Sequence, residues 1–564
     1  MPVITDLPNP DLLSRTPLSA RAILDVGCGT GALGHAYRRL NPAAQLFGID
    51  KDPQAASVAA ERYDQMFCGD VEREMLPFGA QRFDTLIYGD VLEHLQDPFT
   101  VLAKQAEQLE RAGTVVICIP NVEHWSFAAR LLLGNWQYEE SGLFDETHLR
   151  WFTAASMKRG LESIGLVPID VHPRVFQREQ IAAFVQKLRP ALDELGVAVE
   201  EYANRAAPLQ YVWRAAKQAR PRITVSATML APVGGVSDLR IIEPQLAIAT
   251  EPYVTSIISE PGRVVEGSAN GAGIVVLHRP VLRGAEGLQG IGRLVRDGWV
   301  VVTEFDDHPD HFEAMRGEDV LSFAGVHAVQ TSTEAMAAVL RERHPEVKVF
   351  PNAIRALPEI KNFQNPERTA VFFGALNRRW DWEPIMPALN SLAAMCGDRL
   401  HFSVVHDEAF FNALTTPHKR FTPTCDYAAY MDLLGQCEIS LMPLQDNEFN
   451  RAKSDLKFIE AGACRVAAVA SPTVYGEVIE DGHTGLIFEH PDELRLRLFR
   501  LISVPDDARA LGDAARDYVE RNRMLAYQVK DRLDWYQSLW DRRAALTAGV
   551  RYRVPQLAYE GVGV

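Results

Sequence analysis

The sequence predicts an α/β chain of parallel, Rossmann-like sheets, one near the amino terminus and two behind it. Three observations carry this. Residues 23–34, ILDVGCGTGALG, are an apolar run ending in an acid, with Gly27, Gly29 and Gly31 at alternate positions. That is a strand feeding a glycine loop that opens a helix, where a ligand can approach the backbone without a Cβ in the way. Runs rich in Val, Ile and Phe then recur through 223–545, separated by helix-length spacers, as in buried parallel sheet. At about 320 residues this second region is too long for one such sheet, and two halves divided near 353–368 fit it better.

Composition bounds the function. The chain has 564 residues, 47% hydrophobic and 23% charged, with a net charge of −16. That suits three or four globular units and excludes the basic footprint of a nucleic-acid binder. No apolar run reaches the ~18 residues that span a bilayer, and the start MPVITDLPNPDLL lacks the pattern of a signal peptide. The seven cysteines are scattered and contain no CxxC pair, so neither a disulfide framework nor a zinc site is expected. A reduced, cytoplasmic protein is the expectation. The basic stretch WRAAKQARPR (213–222) reads as a solvated linker, with peripheral attachment to an anionic membrane as the second reading.

In the front region, strands are expected at ILDV, QLFGID, the segment before FCGD, and FDTLIYG. Gly29, Gly31 and Gly34 satisfy GxGxxG, and Asp50 lies 21 residues past Gly29, so a dinucleotide is one reading. Three features favour S-adenosylmethionine (SAM). Asp25 precedes the glycines, where a carboxylate can hold an ammonium group or orient the loop. Asp70 follows a third strand and could accept a bond from an adenine amine. FDTLIYGDVLEHLQDP (83–98) then supplies a fourth strand and an acidic turn with Asp90. These ordered motifs, DVGCGTG, GID, GD and YGDVLEHLQDP, make residues 20–170 resemble a class I SAM-dependent methyltransferase. IPNVEHWSFAARLLLGNW and GLFDETHLRWFT resemble segments of small-molecule and sugar O-methyltransferases.

Transfer of methyl to a sugar hydroxyl needs a base, because the hydroxyl is a poor nucleophile at neutral pH. His94 after the fourth strand and His148 in FDETHLRWF are the candidates, ahead of His124, while Glu93 is a candidate cofactor contact. Trp125, Trp136 and Trp151 are expected to close a core rather than stack on a sugar. Residues 176–219 read as helical, with a boundary at the Arg-Pro-Arg of 220–222.

Behind that boundary, GGVSDLRIIEP (234–244), FFGALNRRWDW (372–382) and the segment 438–488 resemble a GT-B glycosyltransferase with two Rossmann-like halves. In retaining members a Glu near a helix start binds the nucleotide ribose, and Glu460 matches it. The family often places another Glu eight residues earlier, facing the transferred sugar; here that residue is Ala452. A helix over 453–464 would put Lys453, Lys457 and Glu460 on one face. Gly234, Gly235, Arg378 and Arg379 complete the expected nucleotide-sugar site, the cations meeting the diphosphate without a metal. EFDDHPDH (304–311) reads as cleft-facing polar contacts from Asp306 or Asp307 rather than a metal site, and His278 has a similar strand-end position.

The expected layout is a methyltransferase domain (1–175), a helical extension (176–222), an acceptor-side half (223–360), a nucleotide-sugar half (361–545) and a tail (546–564) without a recognisable signal. The implied function is bifunctional: SAM-dependent O-methylation and retaining glycosyl transfer from a nucleotide-sugar, on a glycan or lipid-linked glycan of a surface polysaccharide. Two alternatives stand beside it. The rear could be a non-catalytic glycan-binding module, or the front an NAD-dependent oxidoreductase or epimerase. The front half contains no YxxxK proton-relay motif, which disfavours the latter.

Overall fold

The computed structural model describes residues 6–229, 234–259 and 271–559. The chain forms two compact units: one runs to Arg222 and includes Ala249–Val254, the other takes Ile223–Ile248 and the chain from Thr255 onward.

The first unit is built on β1 (Ala22–Val26), β2 (Gln45–Asp50), β3 (Gln65–Cys68), β4 (Phe83–Gly89), β5 (Leu109–Pro120), β6 (Val167–Val175) and β7 (Pro208–Ala216). Their order is β3-β2-β1-β4-β5-β7-β6. The pairs among β1 to β5 are parallel, and β7 runs antiparallel to both β5 and β6. Leu24, Leu86, Tyr88, Val115 and Ile117 are buried in the core, which explains the near-continuous apolar runs of the central strands. Three helices start at an Asn-Pro or Asp-Pro step: Asn9, Asp52 and Asp97 each accept backbone N–H groups of the first turn, and proline follows at the first helical position.

The expected helix over 176–219 is two helices, Arg178–Glu194 and Val199–Ala206, followed by strand β7. The Ala-, Arg- and Lys-rich end of that stretch reads as helical, but Tyr211, Val212 and Trp213 are buried on both faces of the sheet. Nor is the basic stretch a solvated linker throughout. Arg214 is only 2% exposed, with two nitrogens on Asp170 and a third donating to the Thr250 carbonyl at 2.7 Å.

The second unit holds two six-stranded sheets. One contains β8 (Ile223–Met229), β9 (Val254–Ser259), β10 (Ile274–His278), β11 (Val300–Glu304), β12 (Ala328–Thr331) and β13 (Val347–Val349), in the order β13-β12-β11-β10-β8-β9. The other contains β14 (Thr369–Gly374), β15 (Leu400–Val405), β16 (Lys419–Thr422), β17 (Ile439–Met442), β18 (Ala467–Ala470) and β19 (Leu486–Ile487), in the order β16-β15-β14-β17-β18-β19. The two halves foreseen in the sequence are therefore present, with the connection at 353–368 between them.

The tail is helical although its sequence carries no recognisable signal. Helix Arg543–Arg553 is ordered, and Val550, Val554 and Leu557 pack with Ile291 of the first half. Val550, Val554 and Leu557 keep helical spacing, but three apolar positions at the chain's end do not name the surface they cover, so this docking is invisible without the tertiary fold. Among the described residues no helix is long and apolar enough to cross a membrane, and none of the seven cysteines is paired.

Candidate functional site

In the first unit the strand order reverses at β1, which lies between β2 and β4. Such a switch point opens a crevice beyond the carboxyl ends of the strands, and the glycine loop sits there. Gly29 and Gly31 have φ of +57° and +81°, a region that disfavours any side chain. A Cβ on Gly31 would lie 2.8 Å from the Tyr63 ring, whereas one on Gly29 would meet nothing within 4 Å. The loop is thus packed from below and open at Gly29. Asp50 fixes it: its carboxylate accepts the Gly29 N–H at 2.7 Å and the Asp52 N–H at 2.9 Å. Each oxygen keeps a lone pair for a ribose hydroxyl.

Asp25 lies under the loop and accepts the Tyr63 hydroxyl at 2.5 Å. Burial pushes its pKa up to about 7, against the opposing pull of that hydrogen bond. Asp70 accepts the Glu72 N–H at 2.9 Å and lies 3.5 Å from Arg73, so it serves its own loop. Asp90, at φ +56°, accepts the Gln210 amide of β7 at 2.5 Å, a partner the sequence did not suggest.

The short turn Leu92–His94 follows β4, and the segment 145–151 lies on it. The Glu93 carbonyl accepts the N–H groups of Leu149 and Arg150 at 2.8 and 3.0 Å. This brings His94 and His148 together, ring centroids 4.8 Å apart. Burial lowers both imidazole pKa values, so both are neutral near pH 7. The Thr147 hydroxyl lies 2.6 Å from Asp145 Oδ1 and 2.9 Å from His94 Nδ1. Its single proton is claimed by the carboxylate, so His94 Nδ1 carries a proton and donates, leaving Nε2 with a free lone pair. Asp145, Thr147 and His94 therefore form a chain that orients a base.

Glu93 is 1% exposed, and its Oε2 has no hydrogen-bond partner. Burial holds its pKa well above the usual carboxylate range. The ligand atoms of Glu93, His94 and His148 lie within 4.8 Å of one another, the group among the described residues with the geometry to hold a cation. His124 stands apart, with Nδ1 2.8 Å from the Ser126 hydroxyl. Trp136 and Trp151 pack against Phe127 beside His148, and Trp136 remains 39% exposed.

In the second unit a cavity of about 570 Å³ is lined from one half by Gly234, Gly235, Arg279, Asp306 and Asp307, and from the other by Arg378, Tyr430, Lys453, Lys457 and Glu460. Helix Leu456–Ala463 begins after Lys453, which lies in the preceding turn rather than on the helix. Lys453, Lys457 and Glu460 nevertheless share the cavity. Lys453 forms an ion pair with Asp307, and Lys457 donates to the Gly374 carbonyl. Arg378 donates to Asn450 Oδ1 at 2.8 Å, and Asn450 is in turn held by Asp381. Burial pushes the Glu460 pKa up to about 7, opposed by Lys457 and the hydroxyls of Tyr427 and Tyr430.

Residues 7–171 match the family described as "Methyltransferase domain", and residues 378–534 match "Glycosyl transferase-like". The chain carries both domains. A ubiquinone biosynthesis O-methyltransferase from Cereibacter sphaeroides is 28% identical over 172 residues, which are 29% of this chain and 68% of that protein. A homologous enzyme from Dinoroseobacter shibae is also 28% identical over 172 residues, again 29% of this chain and 68% of that protein. Among solved structures, TarM is 12% identical with a TM-score of 0.35 and covers 47% of this chain, which spans only 54% of TarM. A glycosyltransferase from Rickettsia africae is 15% identical with a TM-score of 0.40, covering 57% of this chain and 99% of its own.

In the methyltransferase domain, the structure brings Asp25, Gly27, Gly29, Gly31 and Asp50 to one loop, and His94 to His148. In the glycosyl transferase-like domain and the half before it, every residue expected in the nucleotide-sugar site lines the cavity except Arg379. That side chain is 68% exposed and pairs with Glu383 four residues on, which corrects the assignment to the diphosphate. Arg378 and Arg379 are adjacent, and only the helix geometry sends one inward. His278 is buried with Nε2 unpartnered and does not line the cavity. Asp145 and Thr147 were not anticipated: Thr147 acts on His94, distant in sequence, and Asp145 acts through Thr147. Asn450, near the expected donor acid but out of register with it, holds Arg378. DETH at 145–148 does hint at the first two.

Proposed function

We propose that the chain is a bifunctional transferase: its first unit methylates a hydroxyl using SAM, and its second transfers a sugar from a nucleotide-sugar with retention. The observation that carries the first activity is the open glycine loop fixed by Asp50, with an oriented His94 beside His148, both neutral, beyond the adjoining strand. SAM supplies a methyl on cationic sulfur, a leaving group that needs no acid. This chain's part is to hold the adenosyl ribose through Asp50, shape the loop with its glycines, and accept the acceptor's proton at His94 Nε2. Asp145 and Thr147 fix that tautomer.

For the second activity, Arg378, Lys453 and Lys457 supply cations for a leaving diphosphate, and Glu460 a carboxylate for the ribose. No step here requires a metal. The acceptor is a glycan or lipid-linked glycan of surface polysaccharide synthesis, and the protein works at the cytoplasmic side. Covalent linkage of the two activities raises their effective concentration at one acceptor.

Calorimetry with SAM, NAD and a panel of UDP-, GDP- and dTDP-sugars tests the reading. Saturable SAM binding and one class of nucleotide-sugar are expected. NAD binding in place of SAM overturns the front-half assignment. Binding of free glycan without any nucleotide-sugar turnover makes the rear a glycan-binding module.

A further inference from the structure

Resting on the nucleotide-sugar reading above, we propose that Asp307 is the carboxylate that recognises the transferred sugar, supplied from the opposite half to the usual one. The family pattern places that acid at position 452. Here Ala452 is 7% exposed and belongs to the apolar cluster containing Phe305 and Met315. The position lacks a carboxylate, and its surroundings would not solvate one. Glu448, nearby in sequence, has a side chain 86% exposed and does not line the cavity.

Among the described residues three acids line it: Asp306, Asp307 and Glu460. Glu460 stands at the ribose position. Asp306 is held by Arg279 Nε at 2.7 Å, within its own half. Asp307 follows β11 in one half and pairs with Lys453 of the other; its second oxygen lies 3.5 Å from Arg279 Nη2. The transferred sugar is joined to the terminal phosphate through a single bridging oxygen. An acid in contact with the lysine that meets that phosphate is therefore the acid closest to the sugar.

A carboxylate beside a diphosphate is tolerable only if cations and hydroxyls share its charge. Two adjacent sugar hydroxyls, donating to its two oxygens, meet that need, and Lys453 bridges acid and phosphate. A nucleoside diphosphate lacking the sugar leaves the acid facing the phosphate with less compensation. Asp307 thus favours the intact donor over the spent nucleotide.

The experiment measures binding of UDP, GDP and dTDP against UDP-glucose, GDP-mannose and dTDP-rhamnose to the full chain and to Asp307→Asn, Asp307→Ser and Asp306→Asn. For the nucleotide that binds, both Asp307 variants are expected to lower the sugar-to-diphosphate affinity ratio about ten-fold or more. Affinity for the diphosphate alone is kept or improved, because Lys453 is released. Asp306→Asn should keep the ratio. An unchanged ratio in the Asp307 variants, or equal losses for both ligands, overturns the role. Silence of the unaltered chain toward every nucleotide overturns the nucleotide-sugar reading itself, and this role with it.

Discussion

Replacing Glu460 with Gln sets stability against binding. Glu460 is 3% exposed, and burial carries its pKa from 4.5 to about 7. At about 1.4 kcal/mol per pH unit, keeping it charged costs about 3 kcal/mol above pH 7. Below pH 4.5 the group is protonated in folded and unfolded chains alike, and the cost vanishes. Between those values, stability from this group falls as pH rises. Glu460→Gln removes the charge but keeps the shape. Its amide accepts one hydroxyl of Tyr427 or Tyr430 and brings new N–H donors, so the net gain at pH 8 is about 1–3 kcal/mol. The melting transition of the second unit should rise by a few degrees at pH 8 and stay unchanged at pH 4.5. Nucleoside diphosphate affinity at pH 8 should fall about ten-fold or more, because a charge-assisted bond to the ribose is lost. Differential scanning calorimetry across pH, with and without UDP, GDP or dTDP, measures both. A variant that is less stable at pH 8 and binds nucleotide as before would refute the reasoning and make Glu460 a purely structural acid.

Further outcomes follow from the same geometry. His94→Ala should slow methyl transfer about 10²–10⁴-fold with SAM affinity unchanged, and Thr147→Val should slow it less while shifting the pH profile; equal loss of SAM binding would place His94 in the cofactor site instead. Because burial favours the protonated form of Glu93, Glu93→Gln should retain methyl transfer within a few-fold; its loss, together with sensitivity to a chelator, would assign a cation to Glu93, His94 and His148. Gly31→Ala, which needs φ +81° and pushes a Cβ to 2.8 Å from Tyr63, should weaken SAM binding by ten-fold or more in calorimetry. Asp170→Ala, which leaves Arg214 buried without its carboxylate, should destabilise the first unit by about 3–5 kcal/mol in urea unfolding.

The central parallel strands were legible because burial on both faces leaves uninterrupted apolar runs, as at GIVVLH and WVVVTE. The glycine loop was legible because positive φ at close spacing admits almost nothing else. Strand β7 was not: YVW flanked by Ala, Arg and Lys fits a helix until β5 and β6 offer it two edges. The tail helices were missed for a similar reason, since their contacts lie on Ile291, far along the chain. Within the sites, local sequence identified single residues and not their orientation. Arg378 and Arg379 look equivalent in the sequence, and one faces the cavity while the other faces solvent.

The sequence by itself determined the number of sheets and their parallel centres, the position of the glycine loop and the cations and acids available for chemistry. These depend on hydrophobic patterning and on the intrinsic conformations of glycine, which are local properties. Only the tertiary structure decided that Thr147 orients His94, that Lys453 meets Asp307, and that Ala452 sits among apolar side chains. Those are meetings between distant segments. They are set by strand order and by the burial that each pairing must satisfy, and no window of sequence contains them.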